Sequence, residues 1–151
     1  MCEPALLFVY GTLRRGSVNA MAQRLASEAE WIGPATMAGR LYAVSDYPAV
    51  VPSAEGVVTG DLFRLRDPAS LGWLDVYEGC GADDPLPHEY ARIEVRVTHD
   101  RTVYDAQAYV WNRPLKGLRA IDGGDWLIAM HVDQNGARPR SMARRRGHGA
   151  R

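Results

Sequence analysis

The chain has 151 residues and 46% hydrophobic content, enough for one compact domain that buries about two-thirds of its unfolded surface. Its formal net charge of zero hides a division, because Arg138, Arg140, Arg144, Arg145, Arg146 and Arg151 are six of the 18 basic residues and no acid follows position 137. Residues 1–137 therefore form a single domain with a net charge of −6, which argues against a nucleic-acid-binding fold, and residues 138–151 read as a polar, disordered tail without the interleaved aromatics a stacking platform needs.

The first element is the apolar run Leu7-Phe8-Val9-Tyr10, a buried strand that breaks into Gly11-Thr12-Leu13-Arg14-Arg15-Gly16. Gly11 lets the backbone turn with no side chain in the way, so successive N–H groups after Tyr10 can converge on one small anion such as a carboxylate. An ordinary strand-to-loop bend reads equally well at this point. A phosphate-binding loop does not, because Ser17 and Val18 stand where the lysine and hydroxyl of that motif are required. Arg14 and Arg15 could add positive potential beside such an anion, although consecutive residues point apart.

Asn19 caps a helix predicted over residues 19–27, and strands follow over residues 38–44 and 57–65. A second helix runs between Asp67, which can cap, with Pro68 at the first helical position, and Gly79, which can terminate it. At about 100° per residue, Glu78 falls between Leu71 and Leu74 around that helix, so its carboxylate lies within the apolar stripe. Desolvation and the negative end of the helix dipole should both raise its pKa, which are the conditions of a general base. The blander reading is a partly exposed glutamate at a frayed end. Asp75 lies at the edge of the stripe and is expected to be solvated.

Cys80 to His88 is an acidic, proline-bearing loop in which Asp83-Asp84 reads as an exposed turn. Residues 90–99 alternate, with Ala91, Ile93, Val95 and Val97 against Arg92, Glu94, Arg96 and Thr98. Asp100-Arg101 turns the chain, and residues 102–111 answer with Tyr104, Ala106, Ala108 and Val110 opposite Asp105, Gln107, Tyr109 and Trp111, completing a hairpin. Arg92 is expected to pair with an acid, and Tyr90 and Tyr109 to wall a small pocket or pack in the core. A closing segment spans residues 126–132. Many short strands with two or three short helices predict an α+β fold built on a small mixed or antiparallel β-barrel.

Cys2 and Cys80 support neither a disulfide framework nor a metal cluster, and Cys80 reads as a small core residue; a reducing cytoplasm fits. His88, His99, His131 and His148 lack ligand spacing, so no metal is expected. No signal peptide and no apolar run of membrane-spanning length is read in the sequence.

Tyr10-Gly11-Thr12-Leu13 after a strand, followed at the right separation by Leu74-Asp75-Val76-Tyr77-Glu78-Gly79, resembles the γ-glutamylcyclotransferase-like superfamily, in its AIG2-like and γ-glutamylamine cyclotransferase branch. Tyr47-Pro48-Ala49-Val50-Val51-Pro52, Gly60-Asp61-Leu62-Phe63, Tyr90-Ala91-Arg92 and Ala108-Tyr109-Val110-Trp111 resemble the family's successive strand signatures, so the likeness runs over roughly residues 6–127. The resemblance implies a closed barrel with the site at its mouth and a cofactor-independent reaction. In that reaction the α-amine of a γ-glutamyl substrate attacks its own γ-carbonyl, releasing 5-oxoproline and a free amine. It implies Glu78 as base and then acid, and the backbone of Tyr10, Gly11, Thr12 and Leu13 as the grip on the glutamyl head, with Tyr109 and Tyr90 as further substrate contacts. A small γ-glutamyl compound is then the partner, with neither nucleic acid nor membrane. Two other readings stand beside it: a non-catalytic carboxylate-binding protein of the same fold, and a polyanion-associated protein acting through the arginine tail.

Overall fold

Strand β1 (Leu6–Val9) is apolar on both faces because both are covered. Leu7 and Val9 join one core cluster and Phe8 joins the other. The chain is described by a computed structural model over residues 5–11, 13–14, 19–44, 47–81, 88–121 and 123–126. Helix α1 (Ala20–Glu28) follows, then β2 (Ala29–Val44), β3 (Tyr47–Leu65), helix α2 (Ser70–Tyr77), β4 (Tyr90–His99), β5 (Thr102–Trp111) and β6 (Arg119–Ile121).

The strand pairings close on themselves. β1 lies antiparallel to β3 and parallel to β5, β5 is antiparallel to β4, β4 to β2, and β2 returns to β3, with β6 added along β2. The result is the mixed, barrel-like ring with short helices that the sequence predicts. Its interior is filled by Phe8, Met37, Leu41, Val50, Val58, Leu62 and Val97 with small residues of β5, Ala106 and Ala108, between them. The outer cluster sits under the helices, where Leu25 of α1 and Leu74 of α2 are fully buried. Helices of nine and eight residues are too short to persist alone, so these contacts, roughly 1.5–3 kcal/mol per buried leucine, hold them in place.

Asn19 caps α1 as expected, its Oδ1 accepting from the amides of Met21 and Ala22 at 2.7 and 3.3 Å. The β4–β5 hairpin turns at Asp100-Arg101, both with positive φ, 50° and 68°, the backbone a two-residue turn of this hand demands. Three expectations change. β2 and β3 begin or extend well outside residues 38–44 and 57–65, because each supplies the other's ladder from Ala29↔Leu65 to Val44↔Tyr47. Between Ala38 and Gly39 the partner jumps from Val57 to Pro52, so residues 53–56 bulge out and the polar Ser53 and Glu55 interrupt the sequence pattern without ending the strand. Helix α2 starts at Ser70 instead of Pro68: Asp67 accepts the Ala69 amide at 2.9 Å through its side chain, and i→i−3 bonds from Ser70, Leu71 and Gly72 make a tighter turn first. The segment predicted over residues 126–132 is described only at the buried Trp126, and the arginine tail and the loop holding Asp83 and Asp84 lie outside the described residues.

Candidate active site

The C-terminal ends of the parallel strands β1 and β5 meet the N-terminal ends of β3 and β4 at one end of the ring. There a cavity of about 30 Å³ is lined by Phe8, Val9, Tyr10, Gly11 and Leu13 from β1 and the turn after it, and by Pro48, Glu78, Tyr90 and Tyr109.

Gly11 is required by close approach. A Cβ built there would lie 2.5 Å from Cγ of Pro48, so only a residue without a side chain lets the loop pass. The amide of Arg14 donates to the carbonyl of Gly11 at 3.1 Å, closing a turn that brings Leu13, nearly fully buried, to the wall. Thr12 and Arg15 lie outside the described residues.

Arg14 is where the sequence reading needs correction. It is 9% exposed and turned into the protein, with Nε 3.0 Å from Asp61 Oδ2 and Nη1 3.1 Å from Asp125 Oδ1. Trp31 Nε1 donates to the other oxygen of Asp61 at 3.2 Å. The guanidinium does not supply potential to the cavity; two carboxylates neutralise it, and it ties the turn to β3.

Glu78 reaches the cavity from the C-cap of α2 and is 8% exposed. Its position follows from the helix end. Gly79 has φ of 78°, its amide donates to Val76 O at 3.1 Å, and the Cys80 amide donates to Asp75 O at 2.9 Å, the two crossed bonds of a Schellman motif. Glycine as terminator thus fixes the backbone of the residue before it, and the apolar stripe of α2 carries the carboxylate inward.

The tyrosines have committed hydroxyls. Tyr10 donates to Tyr109 O at 2.6 Å and accepts from the Val50 amide at 3.3 Å, while Tyr90 donates to Pro48 O at 2.5 Å. Tyr90 therefore offers the cavity its ring, stacked edge-on against Trp111. Tyr109 donates to Asp75 Oδ1 at 2.6 Å. Burial, then that hydrogen bond and the neighbouring negative charges, push its phenol far above the ordinary range, so it stays protonated.

Asp75, expected to be solvated, keeps 23% of its side chain in solvent and is otherwise taken up by protein partners. Arg92, found paired with an acid as expected, grips both its oxygens, and Tyr109 completes the set. The signal was present in part: Asp75 stands three residues before Glu78, one helical turn away. Among the described residues no group of three or more His, Cys, Asp or Glu side chains could hold a metal, and no helix is long and apolar enough to cross a membrane.

A buried carboxylate that lines a mainly apolar cavity together with a glycine-led turn can accept a proton from a bound group while the turn holds the rest of the ligand. The family described as gamma-glutamyl cyclotransferase, AIG2-like, matches residues 7–128, from β1 past Trp126 and across every lining residue. The chain belongs to this family. Among AIG2-like relatives, the gamma-glutamylcyclotransferase family protein YtfP of Escherichia coli K12 is 34% identical over 122 residues, covering 80% of this chain and 95% of its own. The gamma-glutamylaminecyclotransferase of Rattus norvegicus is 30% identical over 105 residues, 62% of this chain and 64% of its own. The solution structure of Escherichia coli ytfP superimposes with a TM-score of 0.59 at 32% identity, over 81% of this chain and 96% of that one. The AIG2-like fold recognised from Tyr10-Gly11-Thr12-Leu13 and Glu78 is thus the fold of this chain.

Proposed function

We propose that the protein is a cofactor-independent γ-glutamyl cyclotransferase that acts on γ-glutamyl amines in the cytoplasm. The observation that carries this reading is Glu78: a carboxylate buried at the end of α2 and lining the same cavity as the Gly11 turn. The substrate's glutamyl head lies with its carboxylate toward the backbone of Tyr10, Gly11, Thr12 and Leu13 and its α-ammonium toward Glu78. Glu78 takes one ammonium proton. The freed amine attacks the γ-carbonyl and the new C–N bond closes a five-membered ring. Glu78 returns its proton to the leaving nitrogen as that C–N bond breaks, then takes the second proton from the ring nitrogen to leave the neutral lactam, and that proton departs with the released amine as its ammonium.

The site has little else to supply. Nucleophile and electrophile already share one molecule, so holding the folded conformer provides the advantage of an intramolecular reaction. A positioned acid–base group adds on the order of 10²–10⁴ in rate. Tyr109 and Tyr90 wall the head-group pocket, and the kinship with a gamma-glutamylaminecyclotransferase favours an amine leaving group.

The test is detection of 5-oxoproline by mass spectrometry from a panel of γ-glutamyl amines, γ-glutamyl amino acids and glutathione. Product from wild type that falls by at least about 10²-fold in Glu78→Gln supports the reading. Equal product from the folded variant removes Glu78 from the chemistry. Carboxylate-dependent binding with no product from any substrate replaces the enzyme with a ligand-binding protein of the same fold.

A further inference from the structure

Asp75 does not line the cavity, yet it holds the hydroxyl of Tyr109, a residue that does. Arg92 of β4 meets its carboxylate with two hydrogen bonds, Nε to Oδ1 at 2.8 Å and Nη2 to Oδ2 at 3.2 Å. The third donor, Nη1, is given to Gln107 Oε1 of β5 at 3.0 Å. An arginine held at three points has a fixed plane, and the carboxylate it grips is fixed with it. The Tyr109 hydroxyl then donates to Asp75 Oδ1 at 2.6 Å.

A phenol has one proton and two lone pairs. With the proton committed to Asp75, the Tyr109 oxygen has only acceptor capacity left to offer a ligand in the cavity this residue lines. Glu78, as a carboxylate, is also an acceptor. The cavity lining thus includes two side-chain acceptors, Glu78 and Tyr109, beside the backbone of the Gly11 turn. Such a pair suits the head of an α-amino acid: a primary ammonium, with three N–H donors, can give one to Glu78 and one to Tyr109. Resting on the functional reading above, we propose that Asp75, held by Arg92, is a positioning residue that makes the Tyr109 oxygen a hydrogen-bond acceptor for the substrate's α-ammonium.

The arrangement has a use beyond binding. When Glu78 removes a proton, Tyr109 still accepts one of the remaining N–H groups, so the amine's lone pair is held toward the γ-carbonyl instead of rotating freely. Without Asp75 the phenol proton is released, and it can turn to the Glu78 carboxylate and occupy the base.

The experiment compares binding of a γ-glutamyl amine with that of its analogue in which the α-amine is replaced by hydrogen, by calorimetry in the non-cyclising Glu78→Gln background. A hydrogen bond to a charged group predicts about tenfold or greater preference for the amine-bearing compound. Adding Tyr109→Phe should remove most of that preference, Asp75→Asn should remove as much, and the two together no more than either alone. Arg92→Lys, which keeps the charge and loses the two-point grip, should remove an intermediate share. A purely structural role would weaken both ligands equally and leave the preference intact. That outcome, or additive losses, overturns the proposal while the cyclotransferase reading stands. A wild type that neither binds nor converts any γ-glutamyl compound overturns the functional reading and the ammonium assignment with it. Independently, ¹³Cζ NMR of Tyr109 in ligand-free wild type should show no ionisation up to about pH 11; titration near the ordinary tyrosine value of about 10 overturns the network itself.

Discussion

The ring of Pro48 stands where a side chain on Gly11 would have to go, with Cγ 2.5 Å from the position of a Cβ. Gly11 lies in the turn after β1 and Pro48 in β3, and both line the cavity. Gly11→Ala must therefore push Pro48 outward or shift the turn, and Pro48 is itself tied through its carbonyl to the Tyr90 hydroxyl. Overpacking of this kind costs about 1–3 kcal/mol. The expected result is a lower urea midpoint together with a loss of 5-oxoproline formation larger than the unfolded fraction explains. A variant with wild-type stability and rate would show that the turn has room to move.

Gly79 offers a separate handle on the same site. Its φ of 78° is strained for any residue with a Cβ, so Gly79→Ala is expected to cost roughly 1–2 kcal/mol. Because the crossed bonds from Gly79 and Cys80 set the end of α2, the substitution also releases the backbone of Glu78. Activity measured well below the melting transition should fall by more than the change in folded population. Gly72→Ala is the control: it lies in the same helix with open space around it, and alanine favours the helix.

The features legible in the sequence are those that a few neighbouring residues decide. Asn19 announces its helix by its own side chain, Gly79 ends α2 by its own φ, and Asp100-Arg101 turn a hairpin whose two arms alternate visibly. Glu78 is legible because a carboxylate in an apolar stripe is anomalous within one helix. The full extent of β2 and β3 is not, since Pro34, Gly39, Pro52 and Gly56 break the local pattern and only the partner strand sustains the ladder. Arg14 and Asp75 escape for the same reason. Each reads as a surface charge among its neighbours, and each is drawn in by partners 17 to 111 positions away.

Arg14 carries a prediction of its own. Its guanidinium bonds to Asp61 and to Asp125, and all three side chains are largely out of water. Arg14→Met leaves both carboxylates without that cation, which for a buried pair costs about 3–5 kcal/mol. Arg40 is the contrast, since its partner Glu55 is 79% exposed and the pair contributes little. Arg40→Met should change the urea midpoint within experimental scatter, while Arg14→Met should lower it strongly. Equal, small effects in both would mean that the Arg14 cluster is as solvent-screened as the surface pair.

Glu28 joins the two helices and should leave a signature in acid. Its carboxylate accepts Ser70 Oγ at 2.6 Å and Trp73 Nε1 at 2.8 Å from α2, and Arg24 Nε at 3.0 Å from α1, and Arg24 also lies over the Trp73 ring. Those hydrogen bonds, that from Ser70 foremost, hold its pKa down at about 2 against an ordinary 4.5. A depressed carboxylate stabilises the fold above its unfolded pKa, and that stability drains away as pH falls from about 4.5 toward 2. Urea midpoints followed from pH 7 to pH 2 should therefore fall more steeply for wild type than for Glu28→Gln, the two converging near the bottom of the range. Because a third of the side chain meets solvent, added salt should narrow the gap at neutral pH. Parallel curves down to pH 2 would mean that Glu28 titrates alike in the folded and unfolded chains, and that the clasp between α1 and α2 owes nothing to its charge.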